Sequence, residues 1–338
     1  MHIVLFCHSL ISDWNHGHAH FLRGIMSELQ ERGHDVTVYE PVDGWSRTHL
    51  LEHEGPESEV RFHQAFPRLN PTPFDLHLLA LDAALYDADL VLVHEWTDRK
   101  VIERIGKHKA AGGRYVLLFH DTHHRSLTST DDVARYDLQH YDGVLAVGEV
   151  IRERYVRNGW SRRAFTWHEA ADTRVFHPCT RSASPRDVVW IGNWGDNERS
   201  AEFSNYFINP VRELKLTATA YGVRYPDAAR RAMRDANIEY KGWLPNYEAP
   251  QAYARYHFTM HIPRKPHLSE LPGIPTIRVF EALACGIPLV SLDWHDVEGL
   301  FEPGLDFLVA HSPTDMRDWC VALAADEGLR HTLSRHGL

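Results

Sequence analysis

Short apolar runs alternate with longer amphipathic stretches along most of the chain. In the first half, residues 3–7, 36–39, 90–93, 115–119, 143–147 and 164–167 are each a few mostly apolar residues. Runs that short and that apolar predict strands covered on both faces. Between them, apolar positions recur at helical spacing over 19–32, 98–110 and 149–158. Gly33 and Gly112 stand where the first two of these helices stop. Strand, helix and strand in alternation predict a parallel sheet with helices on both faces. Residues 41–75, rich in Pro, Glu and His, have weak periodicity and predict irregular or partly helical chain.

The pattern restarts after residues 177–187, which hold two Pro and two Ser and predict a linker. Strands follow at 188–191, 214–219, 238–240 and 258–262, with a helix at 247–255 and helix-forming sequence over 314–334. No repeat or low-complexity tract interrupts this order.

Residues 271–291 organise the second half. Pro275 and Thr276 suit a helix start, and Gly286 with Pro288 marks its stop. Residues 287–292 predict a buried strand. The intervening helix is almost wholly apolar, yet it carries Arg278 and Glu281 one turn apart. Two charges on a buried helix need partners. Either they pair with each other, or they meet a ligand with phosphate for the helix start and hydroxyls for the carboxylate.

The segment from Arg278 through Val279, Phe280, Glu281, Ala282, Leu283, Ala284 and Cys285 to Gly286 resembles the R-x-F-E-x-x-A-C-G stretch of GT-B glycosyltransferases, in particular their group-1, CgeB-like branch. The opening of the chain, with Arg32-Gly33-His34-Asp35-Val36 leading into the second strand, resembles the start of that fold. The resemblance implies two Rossmann-like domains with parallel sheets facing across a cleft. Their bounds are 1–176 on the acceptor side, the linker 177–187, and 188–338 on the donor side. It implies an enzyme that moves a sugar from a nucleoside-diphosphate-sugar to a hydroxyl of a small-molecule, glycan or lipid-linked acceptor. No metal and no cofactor are expected, and retention is favoured. In retaining relatives a Glu-x7-Glu pair appears, and Glu281 matches its second member, which holds the ribose. The first member falls at Gly273, which has no carboxylate.

His120-Asp121, at a strand end, matches a catalytic histidine position of such enzymes. Donor contacts are implied for Arg278, Glu281, Gly273, Ile274 and Thr276, for Asn193 and Arg199 in the loop after residue 191, and for Gly17 in the first loop. Two alternatives stay open: a sugar-nucleotide epimerase of the same fold, and a module that binds nucleotide-sugars or glycans without turnover.

The remaining composition narrows the class. A length of 338 residues suits two domains. The net charge of -10 argues against a nucleic-acid binder. No apolar run of about 18 residues occurs, so no membrane span is expected. Met1 leads straight into the first strand, and the four cysteines form no C-x-x-C. Both point to a cytosolic protein with reduced thiols. G-x-G-x-x-G is missing after the first strand, which counts against a nicotinamide enzyme. The 25 histidines include His16, His18 and His20 in alternation and the cluster His120, His123 and His124. No H-E-x-x-H motif accompanies them, so no metal site is expected. Arg152, Arg154, Arg157, Arg162 and Arg163 could touch an anionic membrane weakly, but a solvated helix face is favoured.

Overall fold

A computed structural model describes residues 1–123, 129, 131 and 136–338. The chain divides into two compact units, Met1–His168 and Glu169–Leu338. The division falls upstream of the Pro- and Ser-rich 177–187 stretch. That stretch is already part of the second unit: Ser182 N donates to the Ala254 carbonyl at 3.0 Å, and Phe176 is fully buried in the second unit's core. Among the described residues, no helix is long and apolar enough to cross a membrane.

Among its described residues the first unit holds seven strands: β1 (His2–Phe6), β2 (Asp35–Pro41), β3 (Thr72–Phe74), β4 (Leu90–His94), β5 (Val116–Asp121), β6 (Gly143–Ala146) and β7 (Ala164–Thr166). All pair in parallel, in the order β3-β2-β1-β4-β5-β6-β7. The weakly periodic 41–75 region forms helices Trp45–Glu54 and Glu57–Ala65 before β3. These two helices bury only one or two large side chains, Leu50 and Phe62, which is why their pattern is faint in the sequence.

The second unit holds β8 (Arg186–Ile191), β9 (Ala218–Tyr221), β10 (Ile238–Tyr240), β11 (Tyr256–His261), β12 (Leu289–Leu292) and β13 (Leu308–Ala310). Their order is β10-β9-β8-β11-β12-β13, again all parallel. Strand β8 shows how the core is built. Val188 and Trp190 enter one hydrophobic cluster, while Val189 and Ile191 enter the other on the opposite face.

Two expected elements differ. The strand expected at 214–219 begins at Ala218, because helix Asn209–Leu214 runs on to Leu214 and Lys215 closes it in the left-handed conformation. The single helical region 314–334 is two helices, Pro313–Ala325 and Glu327–Gly337. Asp326 ends the first and caps the second by accepting from Leu329 N at 2.9 Å.

In each sheet the strand order reverses once, between β1 and β4 and between β8 and β11. Ligands of open parallel sheets bind beyond the strand C-termini at such a reversal.

Candidate active site

In the second unit, β8 and β11 end at Ile191 and His261, and the loops beyond them carry most of the expected donor residues. The helix Ile277–Ala284 follows, with Thr276 at its N-cap. Thr276 gives that helix no side-chain cap. Its hydroxyl lies 2.9 Å from Nε2 of His261, whose Nδ1 lies 2.8 Å from Ser291 Oγ. The first turn therefore lacks the side-chain acceptor that a Thr at this position often supplies.

Glu281 is fully buried one turn on, and Arg278 donates to it. Arg278 also reaches Asn246 Oδ1 at 3.4 Å. The mutual ion pair is thus present, and the buried Tyr253 hydroxyl faces the same pair. Gly273 and Ile274 belong to the loop before the helix. Gly273 has φ +83°, and a Cβ there would meet Val297 Cγ2 at 2.9 Å. Ile274 is buried.

Arg199 sits over the Trp190 ring at 5.1 Å and donates to the carbonyls of Ile262 and Asn193. Its pKa is pulled down to about 10, first by burial, with the charges of Arg264 and Arg278 adding to it. Asn193 uses its side chain on the neighbouring loop after β9, accepting from Val223 N at 3.0 Å. Arg264, which pairs with Glu198 at 2.8 Å, joins this group although nothing in the sequence singled it out. His261 was missed likewise. The signal for both was their place at the end of β11, beside the reversal of strand order.

In the first unit, β4 and β5 lie in register so that His94 stands beside His120. His120 is buried, and its Nε2 has no hydrogen-bond partner among the described residues. Its ring lies 5.3 Å from His94, 5.0 Å from Trp167 and 5.7 Å from Phe21. Burial, with the His18 charge adding, brings its pKa down to about 3, so the imidazole is neutral. Asp121 is committed to the scaffold: Oδ2 accepts from the buried Tyr155 hydroxyl at 2.7 Å and Oδ1 from His123 N at 3.0 Å.

The loop after β1 brings in more imidazoles. Glu40 Oε2 accepts from Leu10 N at 2.7 Å and Ile11 N at 3.3 Å. Arg23 donates to the carbonyls of the same two residues and to Asp13. Held by these buried charges, the loop passes through His16, Gly17 and His18 and sets His16 6.1 Å from His94. Of the expected histidine cluster, His124 lies outside the described residues. Among the described residues, no three His, Cys, Asp or Glu are grouped to hold a metal ion. Of the basic stretch at 152–163, Arg152 pairs with Glu149 and Arg157 with Glu153 on the helix surface.

A family model described as glycosyl transferase-like matches residues 199–338, and one described as Glycosyltransferase Family 4 matches residues 15–175. No curated protein matches the sequence. Among solved structures, sucrose-phosphate synthase from Thermosynechococcus elongatus is 14% identical. It covers 100% of this chain and 93% of its own, with a TM-score of 0.66. Anabaena HepE in complex with UDP and glucose is 14% identical over 99% of this chain and 93% of its own, TM-score 0.69. S. aureus TarM, in complex with Fondaparinux, alpha-GlcNAc-glycerol and UDP, is 9% identical over 99% and 95%, TM-score 0.69. At such identities the likeness is one of fold, and the two family models carry it to activity. The chain belongs to the GT-B glycosyltransferases and is a transferase enzyme.

Proposed function

We propose that this glycosyltransferase uses a nucleoside-diphosphate-sugar donor held by the second unit, and moves the sugar to a hydroxyl acceptor without a metal and with retention of configuration. One observation carries the donor reading. Arg199 feels the charges of both Arg264 and Arg278 beside a helix whose first turn lacks a side-chain cap and whose second carries the buried Glu281. Cations converging on a helix start suit a diphosphate, and a carboxylate one turn further suits vicinal ribose hydroxyls. Developing negative charge on the leaving diphosphate would be met by guanidinium groups, which do the work a divalent cation does elsewhere. UDP is the nucleotide of choice for a first test, since it occupies the HepE and TarM structures.

Arg199 supports the cluster mainly through position, since it already donates to two carbonyls. Arg264 and Arg278 lie closer to the role of phosphate ligands. In the first unit, the neutral His120, whose Nε2 has no partner among the described residues, suits a hydrogen bond to a sugar hydroxyl. Asp121 holds the strand end in place rather than touching substrate. Retention is supported by the match of Glu281 to the ribose-binding carboxylate of retaining relatives.

The test is a calorimetric panel of UDP, GDP, ADP and dTDP, followed by turnover of the corresponding sugar donors with EDTA present. One base should bind in preference. The product should keep the donor's anomeric configuration by NMR, and EDTA should leave the rate unchanged. Failure of every nucleotide to bind would reject the donor reading. Loss of turnover in EDTA, restored by Mn²⁺ or Mg²⁺, would reject metal independence.

A further inference from the structure

His261 closes β11 in the interior of the second unit, and the hydrogen bonds around it have only one consistent direction. Ser291 Oγ lies 2.7 Å from the Leu292 carbonyl, which can only accept. The single serine proton is therefore spent there, and Ser291 Oγ must accept from His261 Nδ1 at 2.8 Å. A neutral imidazole with its proton on Nδ1 has a bare Nε2. That nitrogen accepts from the Thr276 hydroxyl at 2.9 Å. The imidazole is indeed held neutral: burial brings its pKa down to about 3, with the His267 and Arg199 charges adding.

This chain of bonds settles what Thr276 does. A threonine at an N-cap with extended backbone, as here at φ −83° and ψ 160°, normally turns its oxygen onto the N–H groups of the helix. Thr276 instead turns its hydroxyl away, and the helix Ile277–Ala284 has no side-chain cap. A side-chain cap and a bound phosphate would compete for the same N–H groups.

We propose that His261 is a positioning residue for the donor: by holding the Thr276 hydroxyl through Nε2, it keeps the start of the Ile277–Ala284 helix open to the diphosphate. This rests on the donor reading given above, and it adds a residue that touches no substrate. With His261 removed, Thr276 is released to cap the helix. The cap then competes with the diphosphate but not with the nucleoside.

Binding of UDP and of uridine by calorimetry tests this with three variants, each checked for a cooperative unfolding transition. In His261→Leu, UDP affinity should fall about fivefold, roughly what a threonine cap is worth, while uridine affinity stays the same. In His261→Gln, whose side-chain carbonyl can still accept from Thr276, UDP should bind as in the wild type. Combining His261→Leu with Thr276→Val removes the competing cap and should recover most of the lost UDP affinity. The inference is overturned if the double variant binds UDP no better than His261→Leu. It is also overturned if UDP and uridine weaken together, which would mark a merely structural role. If the wild type binds neither UDP nor any other nucleoside diphosphate, the donor reading itself fails and this inference goes with it.

Discussion

Arg278 donates from Nη1 to Oε2 of Glu281, three residues further along one helix, and the two ends of that bond sit in different surroundings. The Glu281 side chain is 0% exposed and that of Arg278 is 21% exposed. The pair is therefore asymmetric. Removing the arginine deprives a fully buried carboxylate of its cation, while removing the carboxylate leaves a guanidinium that still reaches water.

Stability and binding should separate along that asymmetry. Arg278→Met should destabilise the second unit by about 3–5 kcal/mol, as for other buried pairs broken on one side, and Glu281→Gln by less. Nucleotide binding should show a different order. A carboxylate takes two ribose hydroxyls at once, at about 1.5–3 kcal/mol per bond to a charged group, so Glu281→Ala should weaken UDP by roughly 10- to 1000-fold. A 2′,3′-dideoxy nucleotide should bind the wild type poorly and be nearly indifferent to the substitution. Urea titration and calorimetry on the same variants read the two effects. If Glu281→Ala loses stability but keeps its UDP affinity, the carboxylate serves the core alone.

Arg264 should matter for phosphate and not for the nucleoside. It is paired with Glu198 at 2.8 Å, and Arg199 feels its charge. Replacing it by Gln keeps much of its length and removes its charge. UDP affinity should fall about tenfold or more, the worth of a hydrogen bond to a charged group, with uridine affinity unchanged. The UDP titration should also become less sensitive to salt, since one screened charge pair is gone. Equal loss for uridine and UDP would place Arg264 outside the phosphate site.

Much of the fold was legible because each strand of a parallel sheet is a short apolar run, and such runs are hard to hide. The misplaced strand at 214–219 shows the limit. Leu214, Leu216 and Ala218 alternate as a strand would, yet Leu214 packs from the helix side and only the left-handed Lys215 marks the change. In the candidate site, one pair was legible from residue chemistry alone. Arg278 and Glu281 stand out because charge on an apolar helix is expensive. His261 and Arg264 did not stand out, because one histidine among 25 and one arginine in a loop take their meaning from the strand order, which the sequence does not print. Asp121 was read as catalytic from its neighbour, but its bond to Tyr155 depends on a contact 34 residues away.

Acid should destabilise the first unit through its imidazoles. His120 titrates at about 3 and His8 at about 4 in the fold, while His16 and His94 lie well below the ordinary value; burial is the first cause in each. A histidine in the unfolded chain takes its proton near pH 6.5, so below that pH the unfolded state binds protons that the folded state refuses. The stabilising difference is complete above about pH 6.5 and is lost as pH falls toward 3, at up to about 1.4 kcal/mol per pH unit for each imidazole. Urea midpoints at pH 7, 6, 5 and 4 should fall steadily. His120→Asn should flatten the slope by about one proton, and an unchanged slope would show that His120 is protonated in the folded protein.

Gly273 should resist replacement, and for a backbone reason that also explains the missing carboxylate. Its φ of +83° lies in the left-handed region, where a side chain costs about 1 kcal/mol or more. A Cβ would also stand 2.9 Å from Cγ2 of the exposed Val297 and 3.0 Å from Glu298 Cγ, so those side chains would have to shift. A glutamate at this position, as the Glu-x7-Glu pattern would have it, would have to hold that left-handed conformation or shift the loop that leads into Thr276. Gly273→Ala should therefore lower stability by roughly 1–3 kcal/mol. It should also weaken UDP, because the displaced loop ends at the helix start proposed to receive the diphosphate. Gly273→Glu should do worse on both counts and should not gain turnover, even though it restores the sequence pattern. A Gly273→Glu protein that is as stable as the wild type and turns over faster would show that the loop can adopt the relatives' arrangement, and that the glycine is a matter of specificity and not of backbone geometry.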